Sequence, residues 1–425
     1  MTYAKSDNES QPHVASKKSA LKKDSFPGPS AGRQQTQDDV MTNNEGAQPT
    51  SVLSTPAHRS HDSRNNLKRS DPFQFGSRYL LENDDVFEFN AWDHVEPDEA
   101  YMEYASSQFA KQKEAPVSAF DKCRWIIFIS RYGFPLVDGL IEPAVRFNND
   151  PAKWWNQFYK NNTSNFFKNR KWLQQEFPIL SMITQPESPP TTVLEVGAGA
   201  GNTAFPILAQ NQNPKLKIHA CDFSKRAIEL IKASEQYDES YIQADVWDVA
   251  SEELPNGLAE GSVDVALMLF IFSALSPSQW QQAIRNIYRV LKPGGEVLFR
   301  DYGRGDLAQV RFRKGRYMEE NFYVRGDGTR VYFFEKEELT KMWHEPEQLA
   351  NDQGNKSPRD AEEYPDQRND ERPEQCYGFD IIDLGVDRRL IVNRQTKQKM
   401  YRCWLQGRFQ KRQRQETDTE ISPPK

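Results

Sequence analysis

Cysteine is scarce. Four occur in 425 residues, Cys123, Cys221, Cys376 and Cys403, and no two are spaced as a CxxC pair. A disulfide framework and a structural zinc site are therefore not expected, and no metal is predicted. The same scarcity points to a reducing compartment, the cytoplasm or nucleus. Long apolar runs are missing as well. No stretch of about 18 apolar residues exists, so no membrane span and no membrane partner are expected. Aromatics are almost absent from the first 70 residues, where only Tyr3 and Phe26 occur. Residues 1–71 are dominated by Ser, Asn, Gln, Lys, Asp and Pro, too polar to offset ordering entropy by burial, and are predicted to be disordered. They contain no apolar signal core, and acids at Asp7 and Glu9 argue against a transit peptide.

Net positive charge is also lacking: the total is −6. The distribution says more than the sum. From Tyr377 to Gln415 there are ten Lys or Arg against three Asp; from Arg300 to Arg316 there are six against two. From Glu345 to Cys376 ten acids face four bases, so an acidic segment masks two basic ones.

What is present is alternation. After an N-terminal segment (72–122) with a helical run from Asp98 to Gln112, residues 123–146 form an anomaly. The string CRWIIFISRYGFPLVDGLIEPAV is apolar, aperiodic and interrupted by Gly and Pro. An aromatic helical cap follows (147–185), opened by Asp150 as N-cap and Pro151 in the first turn. From 190 to 343, strands (TTVLEVG, KIHACDFS, YIQADV, SVDVALML, PGGEVLFRDYG) alternate with helices predicted over Asn202–Asn211, Lys225–Tyr237, Pro277–Leu291 and Glu335–Trp343. Such alternation predicts an α/β fold with a mostly parallel, Rossmann-like sheet covered on both faces. After an acidic loop (344–376), residues 377–412 read as two strands pairing antiparallel at the sheet edge, followed by a tail (413–425).

The stretch LEVGAGAGNT carries Gly197, Gly199 and Gly201 at every second position between a strand and a helix. The dinucleotide fingerprint has a different rhythm, G-x-G-x-x-G. Here Glu195 precedes the first glycine by two, in E-x-G-x-G-x-G, and an acid there suits a cationic amino group better than a pyrophosphate. Asp222 ends the next strand, where it can accept both ribose hydroxyls. Asp245 ends the one after, where it could accept from an adenine amino group. The alternative is an ordinary tight turn among surface acids. Three acids at successive strand ends, with LKPGG before a further strand, resemble the class I methyltransferases and imply S-adenosyl-L-methionine.

Longer strings carry a narrower resemblance. KWWNQFYKNNTSNFFKNRKWL, ACDFSKRAIELIK, VLKPGGEVLFRDYG, RFRKGRYMEENFYVRGDGTRVYFF and DRRLIVNRQTKQKMYRCWLQGRF are similar to the tRNA 3-methylcytidine methyltransferases, which modify cytidine 32 of the anticodon loop. The upstream FGSRYL and DVFEFNAWDHVE resemble the subgroup acting on threonine and some arginine tRNAs. The resemblance spans roughly Phe73 to Lys411. It implies that Trp155 and Tyr159 cap the methionine end of the cofactor, with Gly197, Asp222, Asp245 and Leu269 as further contacts. Read without the resemblance, Trp155 and Tyr159 are i, i+4 neighbours and fit helix packing. The family pattern runs directly from AFDK to RFNNDPAKWW, so 123–145 is either translated intron or a genuine insertion.

Cytosine N3 has a free lone pair at neutral pH, so catalysis needs positioning more than a base. The product is a cation, so a carboxylate should face it. Asp301, at a strand's carboxyl end, is the candidate, with Arg300 and Tyr302 as base or phosphate contacts. The competing reading of Asp301 is a structural cap or an ion pair with Arg300. Arg311, Arg313, Lys314 and Arg316, with Arg388, Arg389, Arg394, Lys397 and Lys399, are expected to hold the phosphates of a tRNA anticodon stem-loop. Each could equally belong to a solvated face. An N-terminal helical RNA-binding extension and an accessory or synthetase-like protein partner complete the expectation. The rival readings are a protein or small-molecule acceptor, and a non-catalytic RNA-binding scaffold.

Overall fold

The computed structural model describes residues 78–117, 147–170, 172–344 and 378–412. Four expectations lie outside the described residues: the polar start, the apolar segment 123–145, the acidic loop 345–376 and the tail. The described chain runs β1 (Ala91–Asp93), α1 (Glu99–Glu114), α2 (Pro151–Asn162), α3 (Leu173–Glu176), α4 (Pro178–Ile183), β2 (Thr191–Val196), α5 (Ala204–Leu208) and β3 (Leu216–Asp222). It continues α6 (Lys225–Lys232), β4 (Ile242–Val246), β5 (Val263–Leu269), α7 (Pro277–Val290), β6 (Leu291–Tyr302) and α8 (Leu307–Val310). The final elements are β7 (Tyr317–Glu319), β8 (Phe322–Val324), β9 (Arg330–Tyr332), α9 (Lys336–His344), β10 (Phe379–Asn393) and β11 (Gln398–Lys411).

Eight strands form one sheet in the order β1-β10-β11-β6-β5-β2-β3-β4. Strands β2 to β6 are mutually parallel where they pair; helices return the chain after β2, β3 and β5, and a loop does so between β4 and β5. Their apolar runs are buried on both faces. One core joins Leu194, Met268, Ile284, Phe299 and Trp343, whose indole stacks on Phe409 at 4.5 Å. The other joins Val193, Leu267, Ile218, Ile231 and Phe177. The α/β, mostly parallel class I methyltransferase architecture expected from the sequence is the one observed.

The antiparallel edge is also as expected. β10 and β11 pair along nearly their whole length, and β11 runs antiparallel to β6. The outermost strand is β1, which pairs with β10 and was not read in the sequence. Helix starts follow their caps: Asp98 accepts from the Tyr101 amide, Asp150 from Lys153, and Ser224 from Ala227. Three boundaries shift. The helix expected from Asn202 shrinks to Ala204–Leu208, because Asn202 turns its amide to the Phe167 carbonyl and Asn169 Oδ1 instead. The one expected to reach Tyr237 stops at Lys232. β6 begins at Leu291, taking in the LKPGG turn.

A second, three-stranded sheet, β7-β8-β9, was not anticipated, since strands of three residues carry no periodicity. The helix α1 docks near it through one buried amide. Gln112 Nε2 donates to the carbonyls of Gln309 and Phe312 at 3.0 Å, and Tyr323 donates its hydroxyl to Gln112 Oε1 at 2.9 Å. Among the described residues no helix is long and apolar enough to cross a membrane, and no cluster of metal-ligating side chains occurs.

Candidate active site

The glycine loop leaves β2 with positive φ at all three glycines, 69°, 58° and 84°. Side chains are excluded there on two counts, backbone strain and space. A Cβ on Gly199 would lie 2.5 Å from the hydroxyl of Tyr159, and one on Gly201 would enter the Phe205 ring. Tyr159 therefore closes over the loop from helix α2. Its neighbour Trp155 stacks with it at 6.2 Å and is half-buried. Burial holds the Tyr159 phenol well above its usual pKa, with Asp222 adding to the rise.

Asp222, at the tip of β3, accepts from the Gly199 amide at 2.8 Å and from the Ser224 amide at 2.7 Å. Two contacts leave lone pairs over for a ligand. Burial raises its pKa to about 6, against the pull of the Ser224 and Gly199 amides. Asp245, one strand further, accepts from Gln243 at 2.6 Å and remains half-exposed, beside an exposed Val246. Leu269 is buried at the tip of β5.

Glu195 differs from its expected setting. Its partner is a cation of the protein itself, Arg170, with Nη1 3.9 Å from Glu195 Oε1. Burial pushes Glu195 up to about 7 although Arg170, the Thr203 hydroxyl and the Ala204 amide pull down. Neither carboxylate oxygen makes a hydrogen bond of normal geometry, so the acid retains acceptor capacity at the mouth of the loop. Arg170 was not singled out in the sequence, where KNRKW reads as one more basic run. It donates to Thr203 Oγ1 at 2.5 Å and lies over the Phe270 ring at 5.7 Å. Glu195, Tyr159, Tyr302 and Asp301 all act on its charge, so it sits between the glycine loop and the end of β6.

Around that end a second corner forms. Tyr302 packs against Phe270 at 5.2 Å and Phe333 at 5.7 Å, and the Arg325 guanidinium lies 5.8 Å over its ring. Phe270 adopts φ 62°, a conformation costly for an aromatic residue and concentrated at functional sites. The string LFIF carries no sign of it. Asp301 is fully buried, accepting from the amides of Ser273 at 2.9 Å and Tyr302 at 2.8 Å. Burial raises it to about 6, with Ser273, the Tyr302 amide and Arg325 opposing. The capping contact that the sequence left open is therefore present. The ion pair with Arg300 is not formed.

Arg300 does not join this corner. The pleat turns it to the opposite face of β6, 4% exposed, where it meets Asp387 at 2.5 Å and Gln406. It lies between the rings of Trp172 and Trp404, at 5.1 and 5.0 Å. A base or phosphate contact by Arg300 is thus corrected: the side chain is committed to the edge of the sheet. The expected RNA-binding residues divide in two. In the loop before β7, Arg311, Arg313 and Lys314 are exposed, while Arg316 donates to the Arg325 carbonyl at 3.3 Å. On the edge strands Arg388 pairs with Glu96, Lys399 with Asp98, and Arg389 with both Asp93 and Asp387. Arg394 donates to the Glu88 carbonyl, and Lys397 lies over Phe87.

Residues 194–297 match a methyltransferase-domain family. The chain is 45% identical over 345 residues to the tRNA(Thr) (cytosine(32)-N(3))-methyltransferase of Saccharomyces cerevisiae, covering 81% of this chain and 46% of that protein. It thus spans about half the length of that relative. The Schizosaccharomyces pombe tRNA N(3)-methylcytidine methyltransferase trm140 is 43% identical over 337 residues, 79% of this chain and 92% of the relative. The Homo sapiens tRNA N(3)-cytidine methyltransferase METTL2B is 33% identical over 404 residues, covering 79% and 93%. With the S. pombe and human relatives matched over 92% and 93% of their lengths, the chain belongs to the tRNA N3-methylcytidine methyltransferase family.

Proposed function

We propose that the protein transfers a methyl group from S-adenosyl-L-methionine to N3 of cytidine 32 in the anticodon loop of threonine tRNA, and of some arginine tRNAs. The observation that carries this reading is the adjacency of two corners, one built of a glycine loop and acids, the other of aromatics and arginines, bridged by Arg170. The residues suit the donor. The loop has no room for side chains, Asp222 keeps spare acceptor capacity, and Glu195 is a buried acid without a hydrogen bond.

In this reading Asp222 accepts from the ribose hydroxyls and Asp245 from the adenine amino group, with Leu269 beneath the base. Tyr159 and Trp155 close the methionine end, where Glu195 faces the amino group and Arg170 the carboxylate. The donor supplies an electrophilic methyl on a sulfonium. The protein's own work is to hold an unpaired cytosine in line with it. Tyr302 and Phe270 offer the faces on which a base splayed from the loop can stack. Arg325 is placed to meet its carbonyl edge. Asp301, buried and fixed by two amides, presents a preorganised negative field to the charge that grows on the ring. Arg311, Arg313 and Lys314 contact the phosphates. A synthetase-like accessory protein and a place in the cytoplasm or nucleus belong to the same proposal.

The test is methyl transfer from labelled donor to total tRNA, followed by mapping of the modified nucleotide. The expected result is 3-methylcytidine at position 32. Label in protein, or in another nucleotide, would overturn the reading.

A further inference from the structure

The turn between β8 and β9, from Arg325 to Arg330, touches both corners at once. At one end, the Arg325 amide donates to the Thr329 carbonyl at 2.7 Å, and its Nη1 to the Arg330 carbonyl at 2.9 Å. The same guanidinium lies over Tyr302. At the other end, Gly328 has φ 88° and carries the Trp154 indole on its Cα, so that a Cβ would fall inside the ring. Trp154 precedes Trp155 in helix α2 and packs in one cluster with Phe147, Val117 and Val324. Arg330 is 3% exposed; burial lowers its pKa, Asp248 opposes that through space, and among the described residues no carboxylate is in contact with it. It donates to Asn148 Oδ1 at 2.8 Å and to Gln279 Oε1 at 3.1 Å, and its Nε has no partner. Asn148 stands two residues before the cap of α2; Gln279 belongs to the capping box of α7.

A buried guanidinium with no carboxylate in contact, and only Asp248 acting on it from a distance, is expensive, and an apolar side chain would fill the same space more stably. Its partners explain its presence: they lie just ahead of the lid helix and on a helix that covers the parallel sheet. We infer that Gly328 and Arg330 are positioning residues for the cofactor site, holding α2 over the glycine loop in register with the acceptor corner that Arg325 serves. The inference rests on the assignment of those two corners given above.

The experiment uses the full chain and three variants: Gly328→Ala, Arg330→Gln and Asn148→Ala. Calorimetry with S-adenosylhomocysteine reports the lid, and anisotropy with a labelled anticodon stem-loop reports RNA. Gly328→Ala and Arg330→Gln are expected to weaken nucleoside binding by about tenfold, equivalent to about 1.4 kcal/mol. Asn148→Ala, which removes only the lid-side acceptor, should weaken it by roughly threefold, with RNA affinity within about twofold in all three. In turnover, KM for the donor rises while kcat at saturating donor stays close to that of the wild type, which separates positioning from general damage. Should Gly328→Ala fail to fold, Arg330→Gln and Asn148→Ala decide the matter. Unchanged nucleoside affinity in Asn148→Ala and Arg330→Gln, or equal losses for nucleoside and RNA, overturns the inference. A wild-type chain that binds no S-adenosylhomocysteine overturns instead the assignment of the site.

Discussion

The parallel half of the sheet and its antiparallel edge use charge in opposite ways. At the tips of β2, β3 and β4 the acids have few partners: Glu195 has one distant arginine, Asp222 two backbone amides and Asp245 the Gln243 amide. Along β10, β11 and the adjoining β6 and chain end, the arginines are matched almost one for one. Arg300 and Arg389 share Asp387; Arg402 meets Asp306, Arg408 meets Asp383, and Arg412 meets Asp380. The stretch that looks most basic in the sequence is therefore the one whose charge is most fully answered within the fold. The unanswered acids suit a cationic ligand, and the exposed basic loop 311–314 is the better candidate for phosphates.

The comparison can be broken most sharply at its two anchors. Asp387→Ala leaves the buried Arg300 without its counter-ion and should cost about 3–5 kcal/mol of stability in urea denaturation. The two arginines hold the Asp387 carboxyl below its usual range although burial alone would raise it, consistent with a strongly held pair. Asp222→Ala should do the reverse. Stability changes little, while S-adenosylhomocysteine affinity falls by roughly 100-fold or more, the loss of two charge-assisted hydrogen bonds. If Asp387→Ala unfolds no more easily than Asp222→Ala, the contrast between the halves is wrong.

The pH dependence sharpens it further. Folded Asp222 and Asp301 titrate near 6 and Glu195 near 7, all above the usual carboxylate range. The folded protein therefore holds more protons than the unfolded chain between about pH 4 and 7. These three groups contribute stability below that window and lose it as pH rises through it. Ligand binding runs the other way, since an ionised Asp222 is the better acceptor. Nucleoside affinity should fall on acidification below pH 6, by up to about tenfold per pH unit, and Asp222→Asn should flatten the profile. A flat wild-type profile from pH 5 to 8 would remove Asp222 from the binding site.

The smallest effect concerns the basic groups. Replacing Arg311 and Lys314 together by Ala should lower the salt slope of tRNA binding by about two. Arg388→Ala, removing a cation already paired with Glu96, should lower it by less than one. Equal slopes in the two variants would mean that pairing within the fold does not decide which cations reach the phosphates.

Much of the parallel half was legible in the sequence because its signals are local. A cap, a glycine that needs positive φ, and an acid at a strand's end each occupy a few consecutive residues; Asp150, Gly199 and Asp222 are of this kind. The edge strands were legible as strands, but the fate of their charges was not. Arg389 finds Asp93 and Asp387, and Arg402 finds Asp306, across separations that no window along the chain spans. Arg170 and Phe270 were missed for the same reason. Nothing nearby in sequence distinguishes one more arginine in a basic run, or one more phenylalanine in an apolar one.

The sequence by itself determined the α/β alternation, the glycine loop, the acids that end successive strands and, through its longer strings, the family. Those features depend on backbone propensity and on spacing along the chain. Which charges remain available is settled by folding. A carboxylate or guanidinium keeps its capacity for a ligand only if folding brings no partner to it, and partners arrive from distant segments. Asp301 and Arg300 show this: the pleat sends these neighbours to opposite faces of β6, but only folding brings the Ser273 amide to one and Asp387 to the other.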